Sequence, residues 1–97
     1  MTAATTEIRR TADRDERSRL AAQESDEDFV RLMGAEWGRR VIWRLLGSTD
    51  NRQTLFATNA TLMAHNASLR DFGRREITDR AMKLCPELYV KMHRENR

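Results

Sequence analysis

Apolar residues recur at a helical period most clearly between Phe29 and Leu46. Phe29, Met33, Trp37, Val41 and Leu45 step by four, with Leu32, Ile42 and Leu46 alongside, so the stretch presents one broad apolar face. Gly34 interrupts it and predicts a break between a short helix over about 26–33 and a second over about 35–46. Ser25 supplies an N-cap hydroxyl to the first, and Asp26, Glu27 and Asp28 follow where the helix dipole favours carboxylates. A metal site is the other use of such an acidic cluster, but no second set of ligands has fitting spacing. Gly47 and the turn-forming residues Ser48 to Asn51 predict the end of the second helix.

Beyond that turn, Leu55 and Phe56 lie in a connecting stretch, Thr54 to Thr58, that is expected to fold back on the core. Asn59 can cap a long helix over about 59–84, in which Asp71 and Arg75, Glu76 and Arg80, and Asp79 and Lys83 are spaced four apart with the acid first. Its expected buried stripe is Leu62, Leu69, Gly73, Ile77, Ala81 and Leu84. Pro86 cannot continue that helix and suits the first turn of another over about 86–94, with Leu88 and Met92 inward and Tyr89 beside them.

Ahead of all this, Met1 to Glu24 has no aromatic residue and, besides Met1, only Ile8 and Leu20 as sizeable aliphatic side chains. Such a segment cannot bury enough surface to offset its ordering entropy. Asp13 with Arg17, and Asp15 with Arg19, support a helix locally, so residues 1–24 read as an arm that is flexible or helical only on a partner. No segment shows strand alternation. The fold expected is all-α, a small bundle of three to four helices over residues 25–97 with that arm in front.

Composition sharpens the picture in three places. A chain of 97 residues makes one domain at most, with a core small enough that homo-oligomerisation is expected. The formal net charge is only +3, but residues 1–28 carry eight acids and five Arg whereas residues 29–97 carry seven acids and thirteen basic residues. The basic part is therefore the part expected to fold. Sixteen of the eighteen basic residues are Arg, which makes forked contacts with carboxylate or phosphate that Lys cannot. No apolar run approaches the roughly 18 residues of a membrane span and no signal peptide is evident, so synthesis in the cytoplasm is expected. Cys85 is the single cysteine, which excludes an intrachain disulfide and a thiolate cluster, and it reads as a small buried hydrophobe.

An internal echo adds a packing idea. Trp37-Gly38-Arg39-Arg40-Val41-Ile42 reappears as Phe72-Gly73-Arg74-Arg75-Glu76-Ile77. A glycine inside a helix costs about 1 kcal/mol relative to Ala, and close helix crossing is a reason to keep one. Gly38 and Gly73 are thus expected to face each other at a crossing, throwing Arg39, Arg40, Arg74 and Arg75 onto neighbouring surfaces. Trp37 and Trp43 are six apart and point about 240° away from one another on a continuous helix, so one of them is the candidate interface anchor.

The residues GRRVIWRLL, then FGRR, then CPELYVKMHRE resemble a family of small proteins encoded by tailed phages of the podovirus type, first noted in a Bordetella phage. The matching stretches cover about half of the chain and leave out the N-terminal arm. Where members usually carry Thr-Pro shortly before the first GRR, this sequence has Ala35-Glu36. The resemblance implies context more than chemistry. Genes of this kind lie among those for portal, scaffold and capsid, and the family supplies no catalytic residues to carry over.

Two readings follow, with enzymes set aside. The first is a non-enzymatic protein of virion assembly that packs in several copies against other phage structural proteins through Trp37, Trp43, Arg39, Arg40, Arg74 and Arg75. It would be made in the host cytoplasm and then enter the virion. The second is a DNA-binding accessory of genome packaging, with Arg39, Arg40, Arg44, Arg70, Arg74 and Arg75 on phosphates. Against this stand Asp71, Glu76 and Asp79, which dilute the patch, and the ordinary use of such Arg in salt bridges and helix cover. No catalytic, cofactor-binding or metal-binding residues are expected: His65 and His93 are isolated, Cys85 and His93 are spaced too loosely for zinc, and no nucleophile has a base in view. Asn59-Ala-Thr61 and Asn66-Ala-Ser68 fit the glycosylation pattern, which has no meaning in a cytoplasmic phage product.

Overall fold

The computed structural model describes residues 3–49 and 60–97. They form α1 (Ala3–Gly34), α2 (Glu36–Thr49), a long α3 and α4 (Pro86–Glu95). Within α3, α-helical Ala60–Gly73 passes into a π-helical segment, Arg74–Asp79, and returns to α-helix over Arg80–Leu84. The described residues contain helix and no strand, as the periodicity requires. The expected plug at Leu55 and Phe56 and the cap at Asn59 lie outside the described residues.

Two helix ends differ from expectation. Ser25 does not start a helix, because α1 runs unbroken from Ala3 and the stretch read as an arm is its first part. Ser25 instead accepts a hydrogen bond from Arg80 Nη2 at 2.8 Å, and the same nitrogen reaches Asp26 Oδ1 at 3.0 Å. The Arg80 guanidinium also lies over the Phe29 ring, 4.9 Å from its centroid. The acidic cluster therefore ties α3 to α1, and Arg80 turns to it and not to Glu76 four residues back. At the other end, α2 passes through Gly47 to Thr49. No described glycine has a positive φ, so Gly47 does not act as a left-handed cap.

The break between α1 and α2 comes where it is expected, but a different glycine explains it. Ala35 lies between the helices, its N–H donating to the Leu32 carbonyl at 3.2 Å while its carbonyl accepts from Arg39 N–H at 3.0 Å. A side chain on Gly34 would meet only open space. A Cβ on Gly38 would overlap the Leu32 carbonyl oxygen, so α2 can fold back on the last turn of α1 only because position 38 has no side chain. Gly73 is also at a crossing, where a Cβ would run into the Thr49 hydroxyl at the end of α2. The two glycines therefore do not face each other, and each admits a different neighbour.

Folding back turns the apolar stripe. Phe29 and Met33 are buried, but Trp37, Val41 and Leu45, the continuation of the same i,i+4 row, face outward. The inward side of α2 is Gly38, Arg39 and Ile42, with Trp43 and Leu46 half-buried. The core is Phe29, Met33, Ile42, Ile77, Ala81, Cys85 and Met92, flanked by Val30, Leu32, Leu84, Leu88 and Tyr89. On α3 the stripe holds at Gly73, Ile77, Ala81 and half-buried Leu84, but Leu62 and Leu69 are exposed. Pro86 occupies the first turn of α4, and the Cys85 carbonyl accepts from Leu88 and Tyr89 N–H at 3.1 and 3.2 Å. Burial pushes the Cys85 thiol up from its ordinary value, which suits a packing role.

The molecule is long and thin, 62 × 38 × 17 Å, with a radius of gyration of 19.0 Å against about 13 Å for a compact chain of this length. The cause is α1, whose 32 residues extend for about 48 Å and pack through Phe29, Met33 and their neighbours near one end. Its projecting half is held by local contacts: Arg19 pairs with Glu16 at 2.7 Å and not with Asp15, Arg17 Nε reaches the Asp13 carbonyl at 3.4 Å, and Thr11 donates to the Glu7 carbonyl at 3.0 Å.

Substitution at the two early glycines separates their roles. Gly38→Ala is expected to destabilise by about 1–3 kcal/mol, because its Cβ meets backbone that cannot rotate away. Gly34→Ala, in open helix, is expected to be neutral or to stabilise by up to about 1 kcal/mol. Urea unfolding of the two variants is the measurement, and equal effects would contradict the close approach at Leu32.

Candidate functional surface

The first arginine of the first GRR does not reach the surface. Arg39 is 4% exposed, and its Nε and Nη2 donate to the two carboxylate oxygens of Glu95 at 2.6 and 3.0 Å. Nη1 donates to the Met33 carbonyl at 3.0 Å. One side chain thus joins the end of α1, the start of α2 and the last turn of α4. The forked hydrogen bonds raise the Arg39 pKa and hold the Glu95 carboxyl below its ordinary value. Arg39 is accordingly withdrawn from both the protein-interface and the phosphate-contact sets, because it is buried and its donors are occupied inside the fold.

The remaining arginines divide by helix. Arg40 and Arg44 are exposed on α2, Arg40 with Glu36 at 3.4 Å. Arg70, Arg74 and Arg75 are exposed on α3, Arg75 with its neighbour Glu76 at 3.4 Å. Arg70 and Arg74 line a shallow groove with Leu46, Thr49 and Thr78. Arg74 has no ion-pair partner among the described residues.

The two tryptophans also part company. Trp37 is 60% exposed and heads the outward row Trp37, Val41, Leu45, whose members lie within about 80° of one another on α2. Arg40 and Arg44 flank that row. Trp43 is half-buried on another side, its ring set edge-on to His93 with centroids 5.0 Å apart, and Tyr89 meets the same imidazole at 4.6 Å. These three rings, with Leu46, Gly47 and Thr78, line an open cleft of about 320 Å³. Among the described residues no group of three or more His, Cys, Asp or Glu converges as metal ligands, and no helix is long and apolar enough to cross a membrane.

The family model of the Bbp19-like phage proteins matches residues 29–94. The chain belongs to the Bbp19-like phage protein family. No curated protein and no solved structure matches it. The Bbp19-like region opens on Phe29, the first core residue of α1, and closes one residue before Glu95. It therefore takes in the whole buried core, both GRR triplets and the aromatic cleft, while the projecting half of α1 lies outside it.

Reading by sequence missed Val41 and Leu45 as surface residues and missed Tyr89, His93 and Thr78 as a cluster. The spacing of Tyr89 and His93, four apart on α4, puts them on one face, but nothing local indicates that Trp43 closes on them from α2.

The Arg39–Glu95 pair makes a pH prediction. A carboxylate whose folded pKa is depressed contributes stability that is full above its unfolded value, about 4.5, and is lost as pH falls through the lower folded value. Melting temperature is expected to fall more steeply below about pH 4.5 in the parent than in Glu95→Gln, which should be less stable at neutral pH and flatter in acid. Parallel acid profiles would assign the acid sensitivity to other carboxylates. Arg39→Ala is expected to lower the melting temperature more than Arg40→Ala, since only the former leaves the buried Met33 carbonyl and the Glu95 carboxylate without their donor.

Proposed function

We propose that the protein is a non-enzymatic component of virion assembly in a tailed phage of the podovirus type, packing in several copies against other phage structural proteins. The observation that carries this reading is the outward row Trp37, Val41, Leu45 on α2. The described residues bury seven apolar side chains and keep three large ones, including a tryptophan, in a line on the surface of α2. An aromatic anchor with aliphatic neighbours and arginines at the rim is the composition of an interface centre. Membership of a phage family supports this reading, in which the chain is made in the host cytoplasm and then enters the particle. Arg40 and Arg44, which flank the row on α2, serve at the edges of such contacts, and no catalytic group is called for.

The packaging-accessory reading, with duplex phosphate contacts, is weaker on this surface. Arg39 is occupied in the core, and Arg40 and Arg75 each lie beside a glutamate.

Trp37→Ser tests the packing reading. It is expected to change the stability of the single chain by less than about 0.5 kcal/mol, because the side chain is already exposed. Association measured by sedimentation, or incorporation measured by quantitative mass spectrometry of nuclease-treated particles, is expected to weaken by about 2 kcal/mol or more. A parent chain that stays monomeric and is missing from particles would overturn the proposal.

A further inference from the structure

The aromatic cleft and the arginine groove adjoin. Leu46 of α2 and Thr78 of the π-helical segment line both, so the groove that holds Arg70 and Arg74 lies next to the cleft among Trp43, Tyr89 and His93. Among the described residues no acidic side chain lines either part, although Asp71, Glu76 and Asp79 stand elsewhere on the same helix. A neighbouring depression on the other side of α3 shows the contrast, since Asp26 and Asp79 line it together with Arg75, Arg80 and Lys83. Trp43, the α2 ring of the cleft, is at least about 120° around the helix from each of Trp37, Val41 and Leu45, at about 100° per residue. The aromatic cleft is therefore on another side of α2 from the row assigned to packing, and the inference does not depend on that reading.

We propose that the cleft and groove together bind single-stranded DNA, one base entering the aromatic cleft and the adjoining phosphate lying against Arg74. Three features select that chemistry. The cleft is lined by rings, which attract any base through its π-face, and it is bounded by the Thr78 hydroxyl and the His93 imidazole, which can hydrogen-bond base edges. Arg74, which lines the adjoining groove, is not neutralised by a carboxylate among the described residues, and a phosphate meets a guanidinium in forked geometry. A base inside a duplex is stacked and cannot enter a cleft walled by side chains, whereas a base of a single strand can. The width of the π-helical turn contributes directly: Arg74 and Thr78 belong to that segment, and π-helical insertions of this kind often occur at functional sites.

The experiment uses the full chain carrying Trp37→Phe, so that Trp43 is the remaining indole. Oligothymidylate of about ten nucleotides, inside the usual range of site sizes for stacking grooves, is titrated at low salt while tryptophan emission is followed. Saturable quenching of Trp43 is expected, with binding weakened about ten-fold or more by Arg74→Glu and by Tyr89→Ala, circular dichroism showing each variant helical. Arg74→Glu is the safer variant, because its side chain is exposed. It should also lower the dependence of binding on salt. Absence of quenching in a folded protein would overturn the proposal, as would unchanged affinity in Arg74→Glu. Equal competition by duplex of the same length would reduce the surface to general electrostatics and reject the base-in-cleft geometry. Thymidine monophosphate binding as tightly as the oligomer would make this a nucleotide site and reject the strand. Sedimentation in the same buffer reports association between copies separately, so failure here leaves the packing reading untouched.

Discussion

Backbone meets backbone where Gly38 passes the Leu32 carbonyl, and the rest of the arrangement depends on that approach. With α2 seated this close, the next residue, Arg39, is carried inside, where it reaches the Met33 carbonyl and both oxygens of Glu95. A guanidinium taken out of water is tolerable only when its donors are used, and here three of its nitrogens find acceptors. The same seating rotates Trp37, Val41 and Leu45 away from the core. One missing side chain thus decides which arginine is structural and which apolar residues are left for a partner.

Helix content, the break near Gly34, Pro86 at the head of the last helix and the core positions Phe29, Met33, Ile42, Ile77, Ala81 and Met92 follow from periodicity and from the chemistry of Gly and Pro. The outward row on α2 does not, for a definable reason. Periodicity assigns a face to a helix only while the helix continues, and the turn at Ala35 resets the phase between Met33 and Trp37. The start of α1 was hidden for another reason: Ser25 and its acids look like a cap locally, and their use as ligands for Arg80 depends on α3, more than fifty residues further along. Family membership was legible from the GRR and PELY stretches, which lie inside the matched region, residues 29–94.

The echo between the two GRR triplets shows how far a local pattern carries. Its aromatic residues, Trp37 and Phe72, are both exposed, its glycines both admit a close neighbour, and its isoleucines, Ile42 and Ile77, are both buried. The first arginines differ completely. Arg39 has Glu95 opposite and lies in α-helix, whereas Arg74 opens a π-helical segment and faces solvent. Similar spelling therefore fixes helix register, and the neighbour across the groove fixes what the charge does.

A last consequence concerns the projecting half of α1. An isolated helix must first nucleate, but this one grows from a turn already clamped by Phe29 and Met33, so only propagation remains and loss of structure proceeds inward from the free end. From Glu24 to Ala3 it is a spoke of about 30 Å, carrying charges of both signs along its length. Such a spoke works as a lever: a tilt of about 10° at the seat near Phe29 would sweep its tip through roughly 7 Å. Small changes in how α1 is seated among Arg80, Phe29 and the Leu32 carbonyl are thus amplified at the end of the molecule furthest from the core.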